Sequence, residues 1–136
     1  MSWVPTAEDS PYARLGGREA VMALAQTFYD VMEREEPALA ALHPLDAEGR
    51  IVPEARDRFA LFLVGWLGGP QDYIQAHGHP RLRMRHGRVP VTIGMRDAWV
   101  RCMKHAMDQH HVTGEVRDFL DARFSDVANF LRNAEG

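Results

Sequence analysis

Gly78-His79-Pro80-Arg81-Leu82-Arg83-Met84-Arg85-His86 is followed, thirteen positions after His86, by Trp99 in Asp97-Ala98-Trp99. A histidine that closes a run of arginines offers one neutral nitrogen for a metal beside cations for an anionic ligand. The run is a local device, because the chain as a whole carries a formal net charge of -3. Bulk attraction to nucleic acid or to an anionic membrane is not expected, although 15 of the 16 basic residues are Arg.

The chain around that stretch reads as one all-α domain. At 136 residues it is large enough to bury a core without disulfides. Its single cysteine, Cys102, excludes an internal bridge. There are 17 Ala against three Ile and four Thr, a bias toward helix formers over strand formers. No apolar run approaches the roughly 20 residues of a membrane span or the form of a signal peptide, so a cytoplasmic location is expected. Residues 1–10 carry no periodic pattern and read as an N-terminal extension to a domain over 11–136.

Four apolar stripes at the helical period supply the core. Val21, Leu24, Ala25, Phe28, Tyr29 and Met32 form the first, which places Tyr29 inside. Pro37 starts a short turn of helix that stops at His43-Pro44, and residues 44–52 read as a loop. Pro53 opens the second helix, with Ala55, Phe59, Phe62, Leu63, Trp66 and Leu67, and Gly68-Gly69-Pro70 ends it. Short helices are expected within 71–86 and a loop over 87–92. Trp99, Cys102, Met103, Ala106, Met107 and His110 give the third stripe. Val116, Phe119, Leu120, Phe124, Val127 and Leu131 give the fourth.

Seven histidines invite several metal sites, and spacing removes most of them. His77 and His79 point to different faces of a helix, and His105 and His110 diverge by about 140° at 3.6 residues per turn. His111 is no nearer an adjacent turn. No Glu-x-x-His or His-Glu-x-x-His pair occurs, so di-iron and zincin patterns are absent. These five read as surface or capping histidines. His86 has two readings: a histidine at a helix C-terminus, favoured by the macrodipole, or a metal ligand. The preceding cations and the Trp, Tyr, Phe and Met on inward stripes favour the ligand. A flat apolar macrocycle with two carboxylates needs an apolar slot, a neutral imidazole and cations at the rim, which is the chemistry of heme.

Gly78 to His86, together with Arg96-Asp97-Ala98-Trp99-Val100-Arg101-Cys102-Met103, resembles the group II truncated hemoglobins, the 2-on-2 globins. Phe28-Tyr29, Leu42-His43-Pro44 and Trp66-Leu67-Gly68-Gly69-Pro70 stand in the same order as that family's other motifs, over roughly residues 11–133. The resemblance implies a 2-on-2 helical sandwich around heme b, with His86 as the iron ligand. It implies that Tyr29 and Trp99 are the distal donors to a diatomic ligand, with His43 and Ala55 on the same side. Ala55 takes the place of the distal histidine of conventional globins, and a methyl group offers no hydrogen bond. Arg58 and Arg85 match cations that meet the propionates. Phe59, Phe62, Leu63, Met84, Ile93 and Met103 would wall the pocket, although core packing explains them nearly as well. Two departures stand out. The loop between His43 and Ala55 is several residues longer than in many relatives, and Gly87-Arg88-Val89 replaces the usual hydrophobic-Pro-Phe.

The function implied is reversible binding of dioxygen, nitric oxide, carbon monoxide or peroxide. Two donors in an apolar pocket hold dioxygen firmly, which suits oxidation of nitric oxide to nitrate or reduction of peroxide better than storage or transport. The sequence does not choose between these reactions; either needs a reductase, and a distal acid–base group could only be His43 or Tyr29. By analogy the family's small members suggest a homodimer. The alternative from another class is a heme-free helical interaction or sensing module whose stripes simply make a core. Cys102 as a redox thiol is a weaker idea, since an inward stripe suits an inert buried thiol.

Overall fold

The computed structural model describes residues 3–78 and 92–131, with side chains as far as Asn129. His79, Arg81, Arg83, Met84, Arg85, His86 and the Gly87-Arg88-Val89 segment lie outside the described residues. Seven helices are described: α1 (Pro11–Leu15), α2 (Arg18–Glu35), α3 (Pro37–Ala40), α4 (Pro53–Trp66), α5 (Asp72–His77), α6 (Ile93–Gln109) and α7 (Gly114–Leu131). Among the described residues there is no strand, only an isolated antiparallel bridge between Leu45 and Ile51 in the loop before α4.

Local chemistry sets the helix ends. The Ser10 hydroxyl accepts from Ala13 N at 3.1 Å and Pro11 fills the first turn of α1, where its missing N–H costs nothing. Thr92 caps α6 in the same way, accepting from Met95 N at 3.1 Å. Pro53 opens α4 and Pro37 opens α3. Gly68, at φ +103°, turns the chain after α4 in a conformation that L side chains rarely adopt.

The stripes then dictate the packing. The α2 stripe is wholly buried, with Val21, Ala25 and Met32 at 0% exposure. It packs against both α4 and α6, and α6 in turn packs against α7. The result is two helices over two, with α2 and α4 in one layer and α6 and α7 in the other. The third stripe is buried at Cys102, Met103, Ala106 and Met107, half-buried at Trp99, and loses its last member. His110 is the half-buried C-cap of α6, where its Nε2 lies 2.6 Å from the Thr27 hydroxyl. The helical period ends there, so the expected core position becomes a polar tie to α2.

Residues 3–10 lie against the second layer despite having no periodicity. The Trp3 ring meets Phe119 of α7 edge-on at 5.4 Å, and its indole N–H donates to Asp9 at 3.0 Å. Arg14 lies over the Trp3 ring at 4.1 Å while binding both Asp9 oxygens. Tyr12 N donates to the Leu67 carbonyl at 2.9 Å, which seats α1 on the end of α4.

A Cβ on Gly68 would stand 2.7 Å from the Ser10 Cβ in addition to the unfavourable φ. Gly68→Ala is therefore expected to cost about 1–3 kcal/mol. Thermal unfolding would show it as a lowered midpoint, whereas an unchanged midpoint would contradict this packing of α1 on α4.

Candidate functional site

Three helices bring one cluster of rings together. On α2, Phe28 and Tyr29 lie 5.1 Å apart between centroids. Phe59 of α4 stands 5.3 Å from Phe28 and 5.5 Å from Tyr29. Trp99 of α6 meets Phe28 at 5.3 Å and Phe59 at 6.5 Å. Phe62 extends the row from Phe59 to Tyr73 of α5, at 6.3 and 5.8 Å. Leu63 and Met103 close the base at 1% and 0% exposure. The sequence-expected residues on α2, α4 and α6 thus converge, while Ile93, the first residue of α6, is exposed.

Within this apolar cluster sit two polar hydrogens that no described residue accepts. Among the described residues, neither the Tyr29 hydroxyl nor the Trp99 indole N–H is hydrogen-bonded, and Arg56 Nη2 is the one sealed side-chain nitrogen or oxygen lacking such a bond. The two ring donors therefore remain reachable rather than entombed. A donor left unmade in apolar surroundings costs about 1–3 kcal/mol, so the pair is suited to a bound polar atom. Burial pushes the Tyr29 phenol above its ordinary value, against a smaller opposing effect of Arg56, so it stays protonated and remains a donor at neutral pH.

His43 faces Tyr29 edge-on at 5.6 Å. Its Nδ1 donates to the Leu39 carbonyl at 3.1 Å, a bond back to the backbone of the preceding turn. In the neutral ring this bond puts the proton on Nδ1 and leaves Nε2 as an acceptor. Ala55 is half-buried against the core, and Arg58, one turn on, is exposed and in no ion pair among the described residues. His105 and His77 have structural partners of their own. His105 Nδ1 lies 2.9 Å from Glu35, and His77 stacks near Tyr73 at 5.0 Å. Among the described residues no group of three or more His, Cys, Asp or Glu is placed to hold a metal.

The sequence reading passed over Arg56, which is 7% exposed. Its Nη1 donates to Asp30 at 2.8 Å and to the Gln26 side chain at 3.2 Å, and its Nε to the Ile51 carbonyl at 3.2 Å. Its Nη2 lies 2.8 Å from Glu33 Oε2, an ion pair by distance whose angle falls outside hydrogen-bond geometry. Glu33 also accepts from Ile51 N at 2.6 Å and pairs with Arg50 at 3.3 Å. Burial raises the Glu33 carboxyl, but Arg56, Ile51 and Arg50 together hold it below its ordinary value. Its contribution to stability is thus present above the ordinary carboxylate pKa and is lost as pH falls through the lowered one. The signal available was Gln26, Asp30 and Glu33 at i, i+4 and i+7, a polar stripe adjoining Tyr29.

A model of the bacterial-like globin family matches residues 10–133. The chain belongs to the bacterial-like globins. Within them it is a group II truncated hemoglobin, and its relatives agree. It is 38% identical over 125 residues to the group 2 truncated hemoglobin YjbI of Bacillus subtilis, covering 92% of this chain and 89% of that one. The crystal structure of the group II truncated hemoglobin from Bacillus anthracis superposes with a TM-score of 0.84 at 32% identity, covering 93% and 98% of the two chains. The group II 2-on-2 hemoglobin of Agrobacterium tumefaciens gives 0.83 at 32% identity, with both chains fully covered.

The cofactor is accordingly heme, and the globin is an oxygen-binding heme protein. The ring cluster fits that group: apolar walls from three helices surround two unpaired donors, as a macrocycle with a polar diatomic ligand requires. A heme-free helical module does not account for this membership. No helix among the described residues is long and apolar enough to cross a membrane.

Cys102, beside Met103 on α6, is 1% exposed, and burial chiefly pushes its thiol up to about 12. A thiol reagent at pH 8 is expected to leave it unmodified in the folded globin and to modify it after denaturation. Rapid stoichiometric labelling of the native protein would contradict that burial.

Proposed function

We propose that this globin holds heme b through His86 and binds dioxygen beside Tyr29 and Trp99, retaining it firmly. The observation that carries the reading is the pair of unpaired donors packed on the same two rings, Phe28 and Phe59. Heme, when bound, supplies an iron that takes diatomic ligands and exchanges electrons. His86 would provide a neutral nitrogen to the metal, with its other ring nitrogen held by a carbonyl or water. Arg58 and Arg85 would meet the propionates, and Phe59, Phe62, Leu63, Met84, Ile93 and Met103 would line the walls.

Tyr29 O–H and Trp99 N–H donate to the ligand's partly negative oxygen atoms. Each bond contributes roughly 1 kcal/mol, more where charge is involved. The raised Tyr29 pKa keeps the first donor intact across the neutral range. Ala55 adds no polar contact, and His43 supplies an imidazole against Tyr29. The Bacillus subtilis neighbour, 38% identical, is an oxygen-avid truncated hemoglobin, and the same behaviour is proposed for this chain. Firm retention suits oxidation of nitric oxide to nitrate, or reduction of peroxide, better than storage or transport. Carbon monoxide and nitric oxide would compete for the same place. Either redox reaction requires a reductase to return electrons, and the setting proposed is the cytoplasm, with the globin as a homodimer.

Absorption spectra of the protein titrated with heme test the assignment of His86. The wild type is expected to take up one heme and to show a Soret band that shifts on reduction with carbon monoxide. His86→Gly should lose that spectrum and recover it in part with added imidazole. An unchanged His86→Gly spectrum would remove His86 as the ligand.

A further inference from the structure

Arg56 is placed where it can decide the orientation of Tyr29. Its guanidinium carbon lies 5.6 Å from the centroid of the Tyr29 ring. That distance is not free to drift, because the same guanidinium is tied to Asp30, Gln26, Glu33 and Ile51. Phe28, Phe59 and His43 bound the ring at 5.1, 5.5 and 5.6 Å, and the cation adds a fourth neighbour that is charged and fixed.

We propose that Arg56, held by Glu33 and Asp30, is a positioning residue that sets the Tyr29 hydroxyl toward the bound ligand and so governs ligand release. The inference rests on the reading of Tyr29 as a distal donor. The anchorage has two consequences. It transmits the long loop before α4 to the pocket, since Ile51 gives its carbonyl to Arg56 and its N–H to Glu33. It also fixes a planar cation on a ring whose donor must meet the ligand within a few tenths of an ångström to keep its strength. Loss of the cation frees the ring to take other orientations between Phe28, Phe59 and His43. Lysine would restore a charge but not the planar fork that binds several acceptors at once.

The test compares wild type, Arg56→Met, Arg56→Lys and Glu33→Gln as heme-loaded proteins, each with and without Tyr29→Phe. The readouts are the infrared stretch of bound carbon monoxide, the dioxygen off-rate by stopped flow, and thermal unfolding. Arg56→Met is expected to shift or broaden the carbon monoxide band and to raise the off-rate roughly fivefold or more, with Arg56→Lys between it and wild type. In the Tyr29→Phe background the Arg56 changes should add nothing, because the group being positioned is gone. An unchanged band and off-rate in folded, heme-loaded Arg56→Met would overturn the proposal. So would an equal increment in the Tyr29→Phe background, even with a lowered unfolding midpoint. If Arg56→Met does not fold, Glu33→Gln decides the matter by the same two readouts. A Tyr29→Phe off-rate equal to wild type would instead defeat the function assigned to Tyr29.

Discussion

Phe28 is 1% exposed and is touched at once by Tyr29, Phe59 and Trp99. That shared contact joins α2 to α4 on one side and to α6 on the other, so the two layers of the fold meet at the ring that also separates the two unpaired donors. The core and the site are therefore one structure. Removing a core ring would be felt as a displaced donor, and reshaping the donors would be felt as a packing defect, because interiors at crystal-like density do not absorb such changes locally.

The polar side of the pocket obeys a different rule. Ion pairs taken out of water contribute little net stability, yet removing one partner leaves an uncompensated buried charge at a cost of several kcal/mol. Arg56 with Glu33, Gln26 and Ile51 is such an arrangement, with Asp30 on its solvent side. Under the proposed positioning role its value lies in directing groups rather than in adding stability, and the Tyr29 ring centroid stands 5.6 Å from its guanidinium carbon.

Much of this was legible in the chain. The stripes of α2, α4 and α6 follow the helical period because each helix has one face against another helix, and Tyr29, Phe59 and Met103 fall on those faces. Proline and glycine marked the ends of α4 for the same local reason. His110 escaped because a period continues on paper past the point where a helix is capped. Arg56 escaped because its partners lie on another helix and across a loop, a pairing that leaves no local pattern. The docking of Trp3 on Phe119 is of the same kind, a contact between the two ends of the described chain. The family motifs supplied what periodicity could not, the roles proposed for His86 and Trp99 toward heme.

The account stands most directly on the claim that Tyr29 and Trp99 act together on one ligand. Dioxygen off-rates for Tyr29→Phe, Trp99→Phe and the double variant measure it. The account predicts that each single change speeds release roughly fivefold or more, and that the double differs from the product of the two because the donors share a ligand and the rings between them. Off-rates indistinguishable from wild type in both single variants would contradict it.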